Sequence, residues 1–417
     1  MHDAATFLKV VMVFIGVVWA IRRKVPIGLA LSAGGVVVAI LMGKPAGWIG
    51  TQLAGGLDGV LFAPATGRFV GVMGMIVGIT SILQASGEMT RLTASFRSWL
   101  RRPRVAMAAL PAIIGLLPMP GGALFSAPMV EASAGGTALS AEDKALVNYW
   151  YRHVWECVCP IYASVILCAQ LVHREVKVIS LALLPLAAAA IVAGLRFLGK
   201  ATPHPEGENG SRPRAAVNAV AGLFPLIVLF ALYVATPVGL LVAAATGLLF
   251  AAMWHLAART LRPGELARTL FVNPAILDMM LMGFGAVIFG EMMVLSGAID
   301  GISAIFVSLG LPLALLAVVL PATVAFFSGM TIVYVSTTFP LLLAYPGVRE
   351  HPLPVVALAF ASGFCGMLLS PLHSCLVVST RYFRADLLGP IRRMVIPCGL
   401  ILATGAALML LLRQLGV

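Results

Sequence analysis

Long apolar runs, separated by short polar and basic segments, make up most of this chain. Most of the runs approach or exceed the roughly 20 residues that a helix needs to cross a ~30 Å hydrocarbon core. The short alternating segments of a transmembrane barrel are absent from the sequence. The pattern predicts ten membrane-spanning helices, at residues 7–21, 25–43, 69–87, 148–171, 178–198, 217–234, 237–257, 275–295, 353–380 and 394–412.

Two further apolar runs, 105–133 and 311–345, carry helix-breaking residues at their middles, PMPGG at 118–122 and SGMT at 328–331. Proline removes a backbone donor, and glycine permits a tight reversal. Non-helical backbone at membrane depth must be surrounded by protein or by a water-filled cavity. We therefore interpret each run as a re-entrant hairpin that returns to the side from which it entered. A single kinked helix is the alternative.

The second half of the sequence repeats the first at an offset of 210 or 211 residues. Four matched patches appear in the same order in both halves: 24–29 with 235–240, 86–87 with 296–297, 110–112 with 320–322, and 159–164 with 370–375. Five spans and one same-side hairpin give an odd number of crossings in each half. The second half must then enter the membrane from the opposite face, as in the inverted repeats of secondary transporters.

These patterns predict an all-α polytopic membrane protein built from two inverted-topology repeats. The first repeat covers residues 1–199, and the second covers 217–417. Each contains about five transmembrane helices and one hairpin. The hydrophilic segment 200–216 is predicted to be a cytoplasmic linker between them, because proline, glycine and charged residues dominate it.

Composition and charge agree with a membrane location. Hydrophobic residues make up 60% of the chain, charged residues make up 11%, and the mean hydropathy is +1.02. The net charge of +12 does not indicate nucleic acid, because 19 of the 28 lysines and arginines lie in loops between apolar runs: 22–24, 88–104, 134–147, 199–216, 258–274 and 381–393. By the positive-inside rule these loops are cytoplasmic, which places the N-terminus outside.

Prolines at matched positions point to the functional centre. Pro160 and Pro371 interrupt the spans 148–171 and 353–380, which frees carbonyls that suit a cation and exposes helix N-termini that suit an anion. For each serine or threonine the alternative is a bond to its own helix, and for each proline a kink without function. The predicted substrate-binding residues at the breaks and hairpin tips are Pro120, Gly121, Gly122, Ser126, Arg152, Pro160, Tyr162, Ser164, Ser328, Gly329, Thr331, Ser336, Pro371, His373 and Ser374.

Ionisable residues inside apolar spans are costly and are a default indication of function. Arg152 and Glu156 are four residues apart, so they form either an ion pair on one helix face or part of an anion site with His153. His373, matched to Tyr162 in the repeat, can bind substrate or carry a proton, or be a satisfied interior histidine. The predicted ion-coupling residues are His373, Glu291, Asp278 and Glu156.

No sequence motif indicates an enzyme or a cofactor. The sequence has no HExxH, no GxSxG, no Walker loop and no dinucleotide-binding glycine fingerprint. Its six cysteines lack the spacing of a zinc site, and we interpret them as small core hydrophobes. We therefore predict that the protein is not an enzyme and has neither a resident metal nor a cofactor. H⁺ or Na⁺ remains open as a coupling ion.

Two motifs carry a family resemblance, PMPGGALFSAP at 118–128 and NYWYRHVWE at 148–156. On these the chain resembles the prokaryotic integral-membrane family called domain of unknown function 401. That family is similar to the ion transporter superfamily, which includes gluconate, dicarboxylate and citrate permeases. The resemblance implies a cytoplasmic-membrane location and transport of small organic anions with H⁺ or Na⁺, often by dimers. The Ser-Asn-Thr hairpin signature of the sodium-binding dicarboxylate relatives is replaced by SGMT here, which speaks against sodium coupling by that geometry.

The sequence thus predicts a secondary active transporter of a small carboxylate that works by alternating access. The predicted partners are the carboxylate and the lipid bilayer, without nucleic acid, and a homodimer is left open. A cation/proton antiporter without an organic substrate is the alternative within transport. Outside transport, a membrane-embedded enzyme or a structural partner of another membrane protein remains.

Overall fold

The structure is a computed structural model that describes residues 2–100, 102–117, 122–134, 139–199 and 212–416. Every regular element in these ranges is a helix, and no strand forms in them. The α-helices of the first half are α1 (His2–Arg22), α2 (Ile27–Leu41), α3 (Ala46–Ala54), α4 (Pro64–Ala85), α5 (Glu88–Trp99), α6 (Pro103–Gly115), α7 (Gly122–Ser133), α8 (Ala141–Arg152), α9 (Ala163–Leu171) and α10 (Val176–Gly194).

The second half continues the all-α architecture. Its helices are α11 (Arg212–Ala235), α12 (Leu240–Ala257), α13 (Pro263–Phe271), α14 (Pro274–Leu295), α15 (Ala298–Ser308), α16 (Leu313–Ser328), α17 (Thr331–Leu343), α18 (Leu353–Leu368), α19 (Ser374–Phe383) and α20 (Leu388–Gln414). The predicted linker lies largely outside the described residues.

Within the described ranges, six helical segments are long and apolar enough to cross a membrane: Ala5–Arg22, Pro64–Ala85, Val176–Leu198, Leu240–Ala257, Pro263–Leu295 and Leu388–Gln414. Shorter apolar helices of 10–17 residues lie between them, including α2, α16, α17 and α18. This confirms the predicted all-α membrane architecture. The number of spans stays a prediction, and several predicted spans hold shorter helices: 25–43 contains α2 of 15 residues, and 148–171 and 353–380 are each divided between two helices.

The helices of the two halves follow the same order and make matching contacts. Helix α2 packs on α14 as α4 packs on α12, and α1 packs on α15 as α5 packs on α11. Likewise, α9 contacts α17 as α7 contacts α19. Exchanging α1–α10 with α11–α20 therefore preserves these contacts. The duplication and its inverted orientation remain predictions, which the matched contacts support.

The two segments interpreted as hairpins each contain a pair of helices. Helices α6 and α7 pack against each other, and so do α16 and α17, whereas the two arms of one kinked helix diverge. Gly329 turns the second pair with a φ of +67°, a conformation that glycine adopts without a steric cost. The tip of the first pair at 118–121 lies outside the described residues.

Both proline-containing spans are broken, and the first break is longer than a proline kink. Helices α8 and α9 are separated by residues 153–162, and α18 and α19 are separated by residues 369–373. The predicted span 148–171 begins too late, because the side chain of Ser140 caps α8 by accepting a bond from the Asp143 backbone. Burial alone raises the pKa of Asp143, but hydrogen bonds from Ser140 and Arg393 outweigh it and lower that pKa below its ordinary value.

Helices α2 and α14 approach closely enough to require glycine. A methyl group on Gly285 would collide with the backbone carbonyl of Gly28, and one on Gly28 would collide with the carbonyl of Leu281. Both positions are buried. This backbone contact joins one helix of each half.

We expect Gly285→Ala to lower the thermal stability of the purified protein, because separating two packed helices costs about 1–3 kcal/mol. Gly16→Ala is the matched control, since nothing lies within 4 Å of a methyl group there. Both changes gain about 1 kcal/mol of helix propensity, so their difference isolates the collision. Equal melting temperatures for the two variants in detergent would contradict the close α2–α14 contact.

Candidate functional site

A buried polar cluster lies where the two halves meet. We call it the central cluster; its members are Arg152, His153, Glu156, Thr331, His373 and Cys375, and all six are buried. Arg152 is the last residue of α8, and His153 and Glu156 lie in the break after it. Thr331 begins α17 after the hairpin turn, and His373 and Cys375 lie at the start of α19. One hairpin tip and both helix breaks therefore meet at this point.

Two histidines from opposite halves face each other at the middle of the cluster. Nε2 of His153 lies 3.1 Å from Nε2 of His373, and their rings meet edge to face. Nδ1 of His153 lies 2.6 Å from the carbonyl oxygen of Tyr149, and Nδ1 of His373 lies 2.6 Å from that of Gly329. A carbonyl can only accept, so both Nδ1 atoms carry a proton. In the neutral rings, both Nε2 atoms then present lone pairs to each other.

Glu156 connects the first break to the second hairpin. Thr331 Oγ1 donates a 2.9 Å hydrogen bond to Glu156 Oε1. The expected ion pair of Arg152 and Glu156 on one helix face is wrong in its geometry, because α8 ends at Arg152 and Glu156 lies beyond it. The Arg152 guanidinium instead lies against Gly122, where any side chain would collide with it.

In each half of the chain, the residue before the helix that follows the break bonds to the hairpin of that half. Tyr162, at the N-cap of α9, donates its hydroxyl hydrogen to the carbonyl of Gly115 at the end of α6. His373, at the N-cap of α19, donates to the carbonyl of Gly329 at the end of α16. A methyl group on Gly329 would lie 3.0 Å from the backbone nitrogen of His373, so the close approach of the turn to the start of α19 requires glycine. Both breaks are thus fixed against a hairpin by the same kind of bond.

Two further side chains of α8 reach the second half. The Tyr149 hydroxyl lies 3.3 Å from the Met367 carbonyl oxygen and 3.2 Å from that of Leu368, at the end of α18. Asn148 Nδ2 donates to Ser379 Oγ at 2.8 Å. The Tyr149 bonds satisfy carbonyls that the end of α18 leaves without intrahelical partners, whereas the Asn148 bond joins two side chains across the halves.

An open cavity of about 1070 Å³ lies beside the cluster. It is bounded by the ends of α4, α9, α10 and α14, on the side that the charge distribution predicts to be external. Its walls include the basic residues Arg68, Arg174, Lys177 and Arg349. Ser336 on α17 also lines the cavity, five residues or about 7.5 Å of helix from Thr331. One turn and a half of α17 therefore separates the cavity from the central cluster.

Comparison with family models matches residues 5–412 to the family described as "Protein of unknown function (DUF401)". The chain belongs to this family. Its fold is similar to that of the YdaH transporter from Alcanivorax borkumensis, whose crystal structure was described as revealing an unusual topology. The TM-score is 0.62 over 88% of each chain at 14% identity, a likeness that shows the fold alone. A comparison with the curated proteins found no match.

Several predicted site residues of this DUF401 protein bond locally. Ser126 Oγ donates to the Gly122 carbonyl at 3.3 Å, and Ser336 Oγ donates to that of Val333 at 3.1 Å. Ser328 Oγ accepts from the Met330 nitrogen at 3.3 Å and stabilises the hairpin turn. In these three cases the side chain bonds to nearby backbone, which is the structural alternative to a role in substrate binding.

The remaining described residues of the predicted site lie in the breaks, on α9 and at the surface. Pro160 and Pro371 lie in the breaks, half-buried, and Ser164 is buried on α9. Ser374 is exposed. Pro120 and Gly121 lie outside the described residues.

The predicted coupling carboxylates occupy three different places. Glu156 is in the central cluster, and Glu291 lines the cavity. Asp278 lies on an exposed face of α14 and lines neither the cavity nor the described cluster. The sequence therefore grouped residues that the fold separates.

Sequence reasoning about this DUF401 protein overlooked Cys375 and the pairing of His153 with His373. Cys375 was interpreted as a core hydrophobe, yet it matches Ser164 in the repeat, which had been assigned to the site. That match was the available signal. Nothing in the sequence indicated that His153 and His373, 220 residues apart, would touch.

We expect Thr331→Val to destabilise the protein by about 1.5–3 kcal/mol, because it removes the donor to a buried carboxyl group. Thr246→Val is the matched control, since Thr246 is exposed and bonds only to the Val242 carbonyl of its own helix. Thermal unfolding in detergent measures both variants. If Thr331→Val and Thr246→Val have the same melting temperature, the bond from Thr331 to Glu156 contributes nothing to stability.

Proposed function

We propose that this protein is a secondary transporter of a small organic anion, a carboxylate, and that it works by alternating access. The observation that carries the proposal is the central cluster, where a hairpin tip and two helix breaks from different halves converge on Arg152. The fold supports it, since the chain shares that fold with a transporter at a TM-score of 0.62. Substrate held at the junction of the halves would be released to either side as the halves move.

Arg152 is the residue best suited to the carboxylate. Its guanidinium is buried at the end of α8 and faces the hairpin helix α7 at Gly122. A guanidinium offers two parallel N–H groups to a carboxylate, which gives both binding energy and orientation. The starts of α9 and α19 lie beside it and add backbone N–H groups of the same electrostatic sign. Charge and geometry therefore favour an anion at this position.

The cavity provides the route from the external side. Its walls carry four arginine or lysine residues against three carboxylates, those of Asp58, Glu175 and Glu291, so one positive charge is left in excess to attract small anions. Its inner end is closed from the cluster by the first part of α17, whose Thr331 bonds to Glu156. On this proposal the cavity is an external vestibule and the central site is closed to it. Movement of the second hairpin would connect the two.

Cation coupling is retained as part of the proposal. Glu291 is one of three carboxylates on the cavity wall, with those of Asp58 and Glu175, and it can bind a cation that enters with the substrate. Asp278 is withdrawn from this role because it faces away from both spaces. Coupling requires that ion and substrate be bound best in the same state, because a ligand shifts an equilibrium only through differential affinity.

We expect small carboxylates to raise the melting temperature of the reconstituted protein, since a ligand of the folded state stabilises it with concentration. A panel of carboxylates is tested with and without Na⁺ and at two pH values. Arg152→Ala should lower the affinity for the stabilising carboxylate tenfold or more, because a charge-assisted hydrogen bond contributes about 1.5–3 kcal/mol. Arg91→Ala, an exposed residue of α5, is the control.

If no carboxylate raises the melting temperature, the result counts against the proposal. If Na⁺ or pH alone then shifts the melting temperature, a cation/proton antiporter becomes the better description. Uptake of the labelled carboxylate into liposomes, lost in Arg152→Ala and kept in Arg91→Ala, would establish transport as distinct from binding.

A further inference from the structure

The pair of histidines in the central cluster has an electrostatic requirement that the substrate proposal does not use. Both Nδ1 hydrogens are committed to the backbone carbonyls of Tyr149 and Gly329, so both Nε2 lone pairs point at one another across 3.1 Å. Two lone pairs at that distance repel unless a positive species lies between them. The geometry is therefore that of a cation site, occupied by a shared proton or by a metal ion.

A third donor decides between these two species. The Sγ atom of Cys375 and the ring nitrogens of His153 and His373 all lie within 4.8 Å of one another, and all three residues are buried. A shared proton engages only the two nitrogens, whereas the Cys375 sulfur lies within hydrogen-bonding reach of both rings and offers a third ligand atom at the same point. Two imidazoles and one thiolate are instead a donor set for a borderline-soft ion such as Zn²⁺.

The spacing of the donors agrees with coordination. Zinc–nitrogen bonds of about 2.0–2.1 Å in a tetrahedral site place two nitrogens about 3.3–3.4 Å apart. The observed 3.1 Å differs from this by a few tenths of an ångström. A tetrahedral site with Zn–S of about 2.3 Å places sulfur and nitrogen about 3.5 Å apart, so the sulfur has to approach by no more than about 1.3 Å from its 4.8 Å limit.

The surroundings of the two histidines are also those of metal ligands. A ligating histidine donates its other ring N–H to a carbonyl or carboxylate, which fixes the tautomer and orients the ring. His153 and His373 both do this, with Nδ1 2.6 Å from a carbonyl oxygen. The site is pre-oriented in both rings, one from each half of the chain.

Local charge permits a divalent ion. Arg152 lies within electrostatic range of both Cys375 and Glu156. A Cys375 thiolate and the Glu156 carboxylate together offset Arg152 and one charge of the ion. With three protein ligands, the fourth position of a tetrahedral ion is open to water or to another ligand.

We propose that His153, His373 and Cys375 form a binding site for a divalent transition-metal ion of the zinc type, with ligands from both halves of the protein. An ion held in this way links the break after α8 to the start of α19. The proposal does not depend on transport of a carboxylate. It is tested by metal binding alone.

The experiment is a titration of the purified, chelator-treated full-length protein with Zn²⁺ in detergent, in competition with a zinc-binding dye. We expect one tightly bound ion per chain and no response to Mg²⁺, which prefers oxygen ligands. Cys375→Ala and His373→Ala should each weaken Zn²⁺ binding at least about tenfold, the smallest loss seen when even outer-shell partners are removed. Cys168→Ala and His351→Ala are the matched controls and should bind Zn²⁺ as the parent does.

Cobalt provides a second readout, which tests the thiolate ligand directly in the parent protein. Co²⁺ in the parent protein should show thiolate-to-cobalt charge-transfer absorption, and Cys375→Ala should lose it. Absence of Zn²⁺ binding, absence of the thiolate band in the parent, or full binding by Cys375→Ala would each overturn the site. Size-exclusion profiles and melting temperatures of the metal-free variants show whether a loss of binding reflects unfolding.

Discussion

The structure depends on satisfying backbone groups that broken helices leave open in a low-dielectric interior. A helix that stops inside the protein exposes carbonyls at one end and N–H groups at the other, and lipid offers no partner for them. Here the partners come from neighbouring elements. Tyr149 bonds to the last carbonyls of α18, and Tyr162 and His373 each bond to the end of a hairpin arm. Each break is therefore stable only because a hairpin or the other half lies against it.

This requirement explains why polar side chains concentrate at one place. The bonds that stabilise the breaks bring His153, Glu156, Thr331 and His373 into contact, although they come from different halves. Elsewhere the halves meet mainly through apolar packing and the glycine contact of α2 with α14, with single polar bonds such as Arg393 to Asp143 and Asn273 to Ser81. The polar junction is the part that can exchange partners, since hydrogen bonds have alternatives that close backbone packing lacks. A ligand bound at this junction is in contact with both halves at once.

The same junction offers two kinds of chemistry. The Arg152 guanidinium favours a carboxylate, whereas the His153, His373 and Cys375 donors favour a metal ion. The two need not conflict, because an anion can complete the open position of a bound cation. Glu156 lies close to both ligand positions. It accepts a hydrogen bond from Thr331 and interacts electrostatically with Arg152.

The amino-acid sequence determined the class of protein and the helix breaks. These follow from local physics: apolar runs of bilayer length form helices, and proline and glycine interrupt them at Pro160, Pro371 and Gly329. Only the tertiary structure decided which polar residues meet. The partner of His373 is His153, Cys375 joins them, and Ser126 and Ser336 turn back to their own helices. The two histidines, for example, are 220 positions apart. They depend on how the helices pack, which no local pattern encodes.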